Sequence, residues 1–273
     1  MAILDVLQRY DVLPSSYVKA QPFSTPDYIE KCITELGKAK LIKLADGYEH
    51  FMALYRVRPI QITELGERYL GGRFLGRTKA NDHFKHRYLR SVLEYHRDRL
   101  PAEIEALETP TIDLRAKTLN PDGHWRITYR DVETATMYFH QEDDTGSERL
   151  TGHGGFESSK KTIRTMLKAY DEYYTDGHYK DQYPTISVLI HTTKEYRAAN
   201  ILDLIEQEAS EQWKPRFAVK AVPDFLEEPL LLPGANDNIL ATDYIRIGKS
   251  GARETFNIMD TLKATEQRKR GGK

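Results

Sequence analysis

Residues 120–148 read Asn-Pro-Asp-Gly-His-Trp-Arg-Ile-Thr-Tyr-Arg-Asp-Val-Glu-Thr-Ala-Thr-Met-Tyr-Phe-His-Gln-Glu-Asp-Asp-Thr-Gly-Ser-Glu. Two strands are legible in this stretch. Trp125, Ile127 and Tyr129 alternate with polar residues, and Met137, Tyr138 and Phe139 form an apolar run after a short spacer. Asp122 precedes the first strand, and Glu142 and Asp144 close the second. Paired as a hairpin, the strands bring one early and two late carboxylates to the same sheet end. Glu142 and Asp144 are two residues apart and so share a face. Carboxylates gathered without a basic partner repel one another, so the cluster requires a proton, a cation or open water.

Upstream, the chain reads as three helices and a two-stranded hairpin. Ile3, Leu4, Leu7 and Tyr10 form the stripe of a first helix, and a second starts after Pro14 with Tyr17 and Val18 inward. Ser24 or Thr25 caps a third, with Pro26 in its first turn and Ile29, Cys32, Ile33 and Leu36 on one side. Leu41–Leu44 is then a strand, Asp46-Gly47 a turn, Leu54–Arg58 the returning strand and 62–70 a closing helix. This order is the pattern of a winged helix, which sets its third helix in the major groove and its wing on the backbone. Lys31, Thr34 and Lys38 lie off the apolar stripe and Arg56 and Arg58 on the wing, as DNA-contacting candidates. A winged helix used only for dimerisation fits the same pattern. A basic helix over 80–100 follows, with Arg87, Arg90 and Arg97 sharing a face suited either to phosphates or to solvent between domains.

Downstream, strands alternate with helices, the pattern of an α/β sheet. A helix over 160–174 carries Ile163, Met166, Leu167 and Tyr170 inward, and its Lys160 and Lys168 are placed beside the acidic strand end. Residues 185–191 form a buried strand, 196–210 a helix and 217–222 the last strand of the sheet. A short strand follows at 244–247, and the basic tail after it is expected to be disordered and suited to phosphate contact. The domain boundaries read from these patterns are 1–75 for the winged helix, 76–110 for a connecting basic helix, 111–235 for a nuclease-like α/β domain and 236–273 for the tail.

Bulk composition narrows the class. Charged residues make up 30% of 273 and mean hydropathy is -0.62, which indicates a soluble protein with a charged surface. No run approaches the roughly 20 apolar residues of a membrane span, and the opening Met-Ala-Ile-Leu-Asp lacks a signal-peptide pattern. The single cysteine, Cys32, excludes an internal disulfide and a Cys-based zinc site, which fits a reducing cytoplasm. The net charge of -1 averages unlike regions. Residues 77–99 hold seven Lys/Arg against three acids, whereas 131–150 hold six acids and one Arg, so polyanions and cations would meet different regions. No Gly-rich phosphate loop ending in Gly-Lys-Ser/Thr is present, which argues against ATP-driven chemistry.

Pro121-Asp122 followed by Glu142-Asp143-Asp144 approximates the Pro-Asp…Asp/Glu-x-Lys pattern of restriction-endonuclease-type sites. There an Asp and a Glu hold Mg²⁺, which activates water, and a lysine orients or deprotonates it. Asp144 stands where that lysine is expected, so either Lys160, Lys161 or Lys168 substitutes or the site does not cut. The chain as a whole resembles the replication-relaxation proteins of plasmids and other mobile elements. The resemblance rests on the winged-helix pattern, Asn81-Asp82-His83-Phe84, the Pro-Asp-Gly strand, Phe139…Glu142-Asp143-Asp144-Thr145-Gly146-Ser147-Glu148 and Leu167-Lys168-Ala169-Tyr170. It spans roughly residues 5–210 and is specific in the central block. It implies a double-stranded-DNA-associated role in replication or mobilisation, with a restriction-endonuclease-like mixed sheet flanked by helices, other replication or mobilisation proteins as partners and no membrane. The alternatives are a Mg²⁺-dependent endonuclease or nickase using Asp122, Glu142 and Asp144, and a regulator whose α/β domain serves protein contacts. A palindromic site would imply a homodimer.

Overall fold

The computed structural model describes residues 2–48, 58–71, 84–100, 102–115, 118–129, 135–146, 149–151, 162–180, 182–222 and 238–271. Their contacts group into two units, Met1–Arg99 with Pro223–Asn238, and Leu100–Val222 with Ile239–Lys273. The class is mixed α/β, as expected.

In the first unit, α1 (Ala2–Arg9) buries Ile3, Leu4 and Leu7. A two-residue strand β1 (Leu13–Pro14) leads into α2 (Ser15–Lys19), with Pro14 at its N-cap. Next, α3 (Pro26–Lys38) starts where the Thr25 hydroxyl accepts the Tyr28 N–H and Pro26 supplies a helical φ, and it buries Ile29 and Ile33. β2 (Ile42–Leu44) and β3 (Pro59–Ile62) pair antiparallel, and β1 adds to the other edge of β3, giving the order β1-β3-β2. The turn expected at Asp46-Gly47 is present, with Gly47 at φ 87°, a conformation open to glycine. Of the expected return strand, 54–57 lies outside the described residues, and the pairing falls at Pro59–Ile62. Ile62 was expected to open the closing helix; instead it pairs with Ile42 and is buried. Thr63 then caps α4 (Glu64–Tyr69) by accepting the Gly66 N–H, so the helix starts two residues later. The helix expected over 80–100 is α5 (Phe84–Arg97), and it packs within this unit. The Tyr17 hydroxyl meets His96 Nε2 at 2.8 Å, and Gln21 donates to the Tyr95 hydroxyl at 2.9 Å.

The second unit is built on a seven-stranded sheet. Its strands are β4 (Glu103–Ala106), β7 (Gly123–Thr128), β8 (Thr136–Asp144), β9 (Ile186–Thr192), β10 (Phe217–Ala221), β11 (Tyr244–Ile247) and β12 (Arg253–Phe256), in the order β12-β11-β10-β9-β8-β7-β4. Outside this sheet, β5 (Ile112–Asp113) and β6 (Thr118–Leu119) form a separate ribbon. The centre, β8-β9-β10, is parallel, and both flanks are antiparallel. Parallel neighbours require crossovers, supplied here by α6 (Ile163–Thr175) and α7 (Glu195–Glu208). One sheet face packs on those helices: Val188, Ile190, Phe217 and Val219 join Leu167, Tyr170 and Ile201 in one core. Strand alternation sends Leu189, His191 and Lys220 to the opposite face.

Two expectations for the C-terminal part change. The sheet does not end at 217–222, because β11 pairs with β10 and β12 with β11. The tail expected to be disordered forms α8 (Ile258–Gly271). Asn257 caps it by accepting the Met259 and Asp260 N–H groups, and Ile258, Met259 and Leu262 are buried. A cap and a short apolar stripe outweigh the basic composition that suggested disorder. The first sheet strand, β4, carries Glu103 and Glu105 on an exposed edge, which hid it from a hydrophobic-pattern search.

Candidate functional site

The hairpin of β7 and β8 pairs Gly123 with Gln141 and His124 with His140, so Asp122 stands opposite Glu142. The Asp122 N–H donates to the Gln141 carbonyl at 2.9 Å, continuing the ladder one step beyond the strand. Asp122 Oδ2 accepts the Asp143 N–H at 2.8 Å, which ties the early carboxylate to the late strand. Asp122, Glu142, Asp143 and Asp144 line one small pocket with Ile163, Met166 and Ile190. Its free space is about 10 Å³, room for one water-sized body. β8 and β9 are parallel, so their C-terminal ends and the N-termini of α6 and α7 meet at this end of the sheet. Helix N-termini favour negative charge.

The carboxylates differ in their surroundings. Glu142 Oε1 accepts the Tyr170 hydroxyl at 2.7 Å, both groups being buried. Burial first, and the Glu142 charge second, hold the Tyr170 phenol well above its usual pKa, so it stays a donor. Asp144 faces a guanidinium instead. Arg197 Nη2 donates to Asp144 Oδ1 at 2.8 Å and Arg197 Nε to Oδ2. Thr192 Oγ1 adds a bond to Oδ2 at 3.1 Å, and the Gly146 N–H one to Oδ1 at 3.0 Å. Gly146 has φ 83°, the left-handed turn that aims its N–H back at the strand end. These four donors occupy the acceptor positions of both oxygens.

Lys168, expected to serve the cluster, does not line the pocket. Lys168 is exposed and lies 3.9 Å from Glu208 of α7, and Arg164 pairs with the same Glu208 at 3.0 Å. On α6, Ile163, Met166 and Tyr170 share the inward face at i, i+3 and i+7, while Lys168 sits nearly opposite. Lys160 and Lys161 lie outside the described residues. Sequence reading placed Tyr170 inward but missed Arg197. Arg197 is 53 residues from Asp144, and the only signal for it was the parallel pairing of β8 with β9, which sets the start of α7 above the acidic end.

On the opposite sheet face, Asp143 Oδ1 lies 3.2 Å from His191 Nδ1, and His191 Nε2 lies 3.0 Å from the Tyr244 hydroxyl. Lys220 Nζ stands 4.5 Å from the Tyr244 ring centroid and donates to the Thr242 carbonyl at 2.8 Å. Asp143 thus points away from its two neighbours on β8, and His191 is part of a buried polar chain.

In the first unit the DNA-contact candidates are exposed or ion-paired. Lys31 is exposed on α3, the Thr34 hydroxyl donates to the Glu30 carbonyl at 3.0 Å, and Lys38 meets Glu35 at 2.7 Å. Arg58 lies 3.2 Å from Glu30, and Arg56 is outside the described residues. Arg87 bonds Asp11 through two nitrogens, at 2.6 and 3.0 Å. Arg90 meets Glu94 at 3.3 Å and Arg97 meets Asp98 at 3.0 Å. The pairs of Lys38, Arg58 and Arg90 are exposed and so weak and exchangeable, whereas the Arg87–Asp11 fork and the Arg97–Asp98 pair are largely shielded from solvent. None of the described helices is long and apolar enough to cross a membrane. No family model, curated protein or solved structure matches this chain.

Proposed function

We propose that this chain is a cytoplasmic DNA-binding protein of a plasmid or other mobile element, acting in replication, relaxation or mobilisation. In this reading the first unit is a winged helix that engages double-stranded DNA. The second is a restriction-endonuclease-like domain that contacts DNA without efficient cleavage. Support for the winged helix comes from the order of three helices and two strands with β1 added to the hairpin edge. Support for the nuclease-like domain comes from the acids gathered at the carboxyl ends of parallel strands, where α/β sheets commonly bind ligands.

The observation that carries the absence of efficient cleavage is the Asp144–Arg197 fork. Asp144 occupies the position expected for lysine, and its neutralising partner is an arginine, which stays protonated and cannot deprotonate water. No lysine lines the pocket among the described residues. The all-oxygen donor set fits Mg²⁺. Asp122 and Glu142 are the residues that would hold it, Asp144 being committed to Arg197, and the ion would supply charge neutralisation for a phosphate. Replication or mobilisation proteins are the partners this role implies, and a palindromic site would call for a two-fold dimer.

The pocket of acids also favours a second reading, a Mg²⁺-dependent nickase. A supercoiled-plasmid assay with Mg²⁺ or Mn²⁺ decides between them, comparing wild type with Glu142→Ala by gel shift and by nicking. The proposal expects both proteins to shift DNA, with affinity falling steeply as salt rises, and neither to nick. Nicking by wild type and not by Glu142→Ala would establish the enzyme. Absence of a shift at low salt would overturn both.

A further inference from the structure

One pleat inward from Asp122 and Glu142, the same face of the hairpin carries a second cross-strand pair, His124 opposite His140. Residues two apart along a strand lie about 7 Å from one another, so the histidines form a separate layer beneath the acids. Both imidazoles are buried, at 2% and 0% exposure, with ring centroids 5.1 Å apart and planes at 74°. His124 Nδ1 lies 3.1 Å from the Glu108 carbonyl, which can only accept, so Nδ1 carries the proton and Nε2 carries a lone pair. That Nε2 and both nitrogens of His140 meet no hydrogen-bond partner among the described residues. Around His140 stand the rings of Tyr170 and Tyr173, with centroids at 5.8 and 5.6 Å.

Buried polar atoms without partners are rare in folded proteins, and here each of two facing rings offers one unshared lone pair, which a shared electrophile would satisfy. We propose that His124 and His140 form a nitrogen-donor site for a borderline transition-metal ion of the Zn²⁺, Co²⁺ or Ni²⁺ class, distinct from the acidic pocket. A metal about 2.0–2.1 Å from each nitrogen, in tetrahedral geometry, sets two imidazole centroids about 5 Å apart, the separation seen here. Metal-bound histidines ordinarily donate their second ring N–H to a carbonyl or carboxylate, as His124 does to Glu108. Phenol oxygens or water complete the coordination, the Tyr183 ring lying 5.0 Å from His124. Tyr183 also lines a surface groove of about 650 Å³ with Glu108 and Tyr138. Imidazole pairs favour these ions over Mg²⁺, and carboxylates the reverse, so the two layers would sort cations by donor chemistry. The inference stands apart from the DNA reading and does not require it.

The test titrates full-length protein, held in excess Mg²⁺, with Co²⁺ followed by visible absorption and with Zn²⁺ followed by calorimetry. The variants are His140→Leu, His124→Gln and Glu142→Ala, each checked for a cooperative melt. Expected is one Co²⁺ per wild-type chain, binding about tenfold or more weaker in either histidine variant and within about twofold of wild type in Glu142→Ala. Should a histidine variant fail to fold, the wild type alone decides through proton NMR: Co²⁺ should paramagnetically shift the imidazoles of His124 and His140 first. No Co²⁺ binding by wild type, undiminished binding in folded histidine variants, loss confined to Glu142→Ala, or shifts at other histidines would each overturn the proposal.

Discussion

Glu142 and Asp144 are two carboxylates on one face of one strand, two residues apart, and they meet opposite chemistry. Glu142 faces the hydroxyl of Tyr170 on α6, a neutral donor. Asp144 faces the guanidinium of Arg197 on α7, with Thr192 and Gly146 completing its shell. The period of the strand decides which face an acid takes, but the helix packed over that position decides whether its charge is cancelled. A motif search that counts acids treats the two as equal. Their surroundings make Asp144 a structural ion pair and leave Glu142 as the acid suited to a cation.

The largest effect is expected from breaking the fork. Arg197→Met leaves a carboxylate buried without its cation, which should cost about 3–5 kcal/mol and lower the melting temperature by roughly 10 °C. Adding Asp144→Leu should recover much of that loss, because the uncompensated charge goes with it. Recovery under about 1 kcal/mol would mean that Arg197 supports the fold by packing rather than by charge.

Next in size is the dependence on acid in the layer beneath Glu142. His140 has a folded pKa of about 3, held down by burial and then by His124, against the ordinary 6.5. The unfolded chain therefore takes up a proton over that window and the folded chain does not. Stability from this group is complete above about pH 6.5 and falls by about 1.4 kcal/mol for each unit below it, toward pH 3. In denaturant melts from pH 7 to 4.5, wild type should lose stability relative to His140→Leu as pH falls. Parallel curves would remove His140 as the source.

Tyr170→Phe deletes the donor to Glu142 inside the protein and should cost about 1–3 kcal/mol. If Glu142 holds the cation, this variant should also change Mg²⁺ affinity while Asp144→Asn hardly does, which sharpens the contrast between the two acids. Smallest of all is Lys168→Ala: exposed and 3.9 Å from Glu208, it should alter stability by less than about 0.5 kcal/mol.

Much of the local structure was legible along the chain. Thr25-Pro26 started α3, Gly47 made the turn that follows β2, and the alternation through Trp125 and Ile127 defined β7. What escaped has specific causes. β4 carries glutamates on an edge, so no hydrophobic period marked it, and α8 buries only a short stripe within a basic segment. Lys168 was assigned to the acids on the assumption that α6 turned its basic face to them, whereas the apolar face at Ile163, Met166 and Tyr170 took that place.

By itself the sequence determined the hairpin and the gathering of Asp122, Glu142 and Asp144 at one end of it, because both follow from a period of two and a turn between strands. Which of those charges is cancelled, by Arg197 from 53 residues away, and that His124 and His140 face each other sealed beneath them, only the tertiary structure decided. Parallel pairing of β8 with β9 and the packing of α6 and α7 over that sheet end are non-local events, and no residue on β8 encodes its partner across the core.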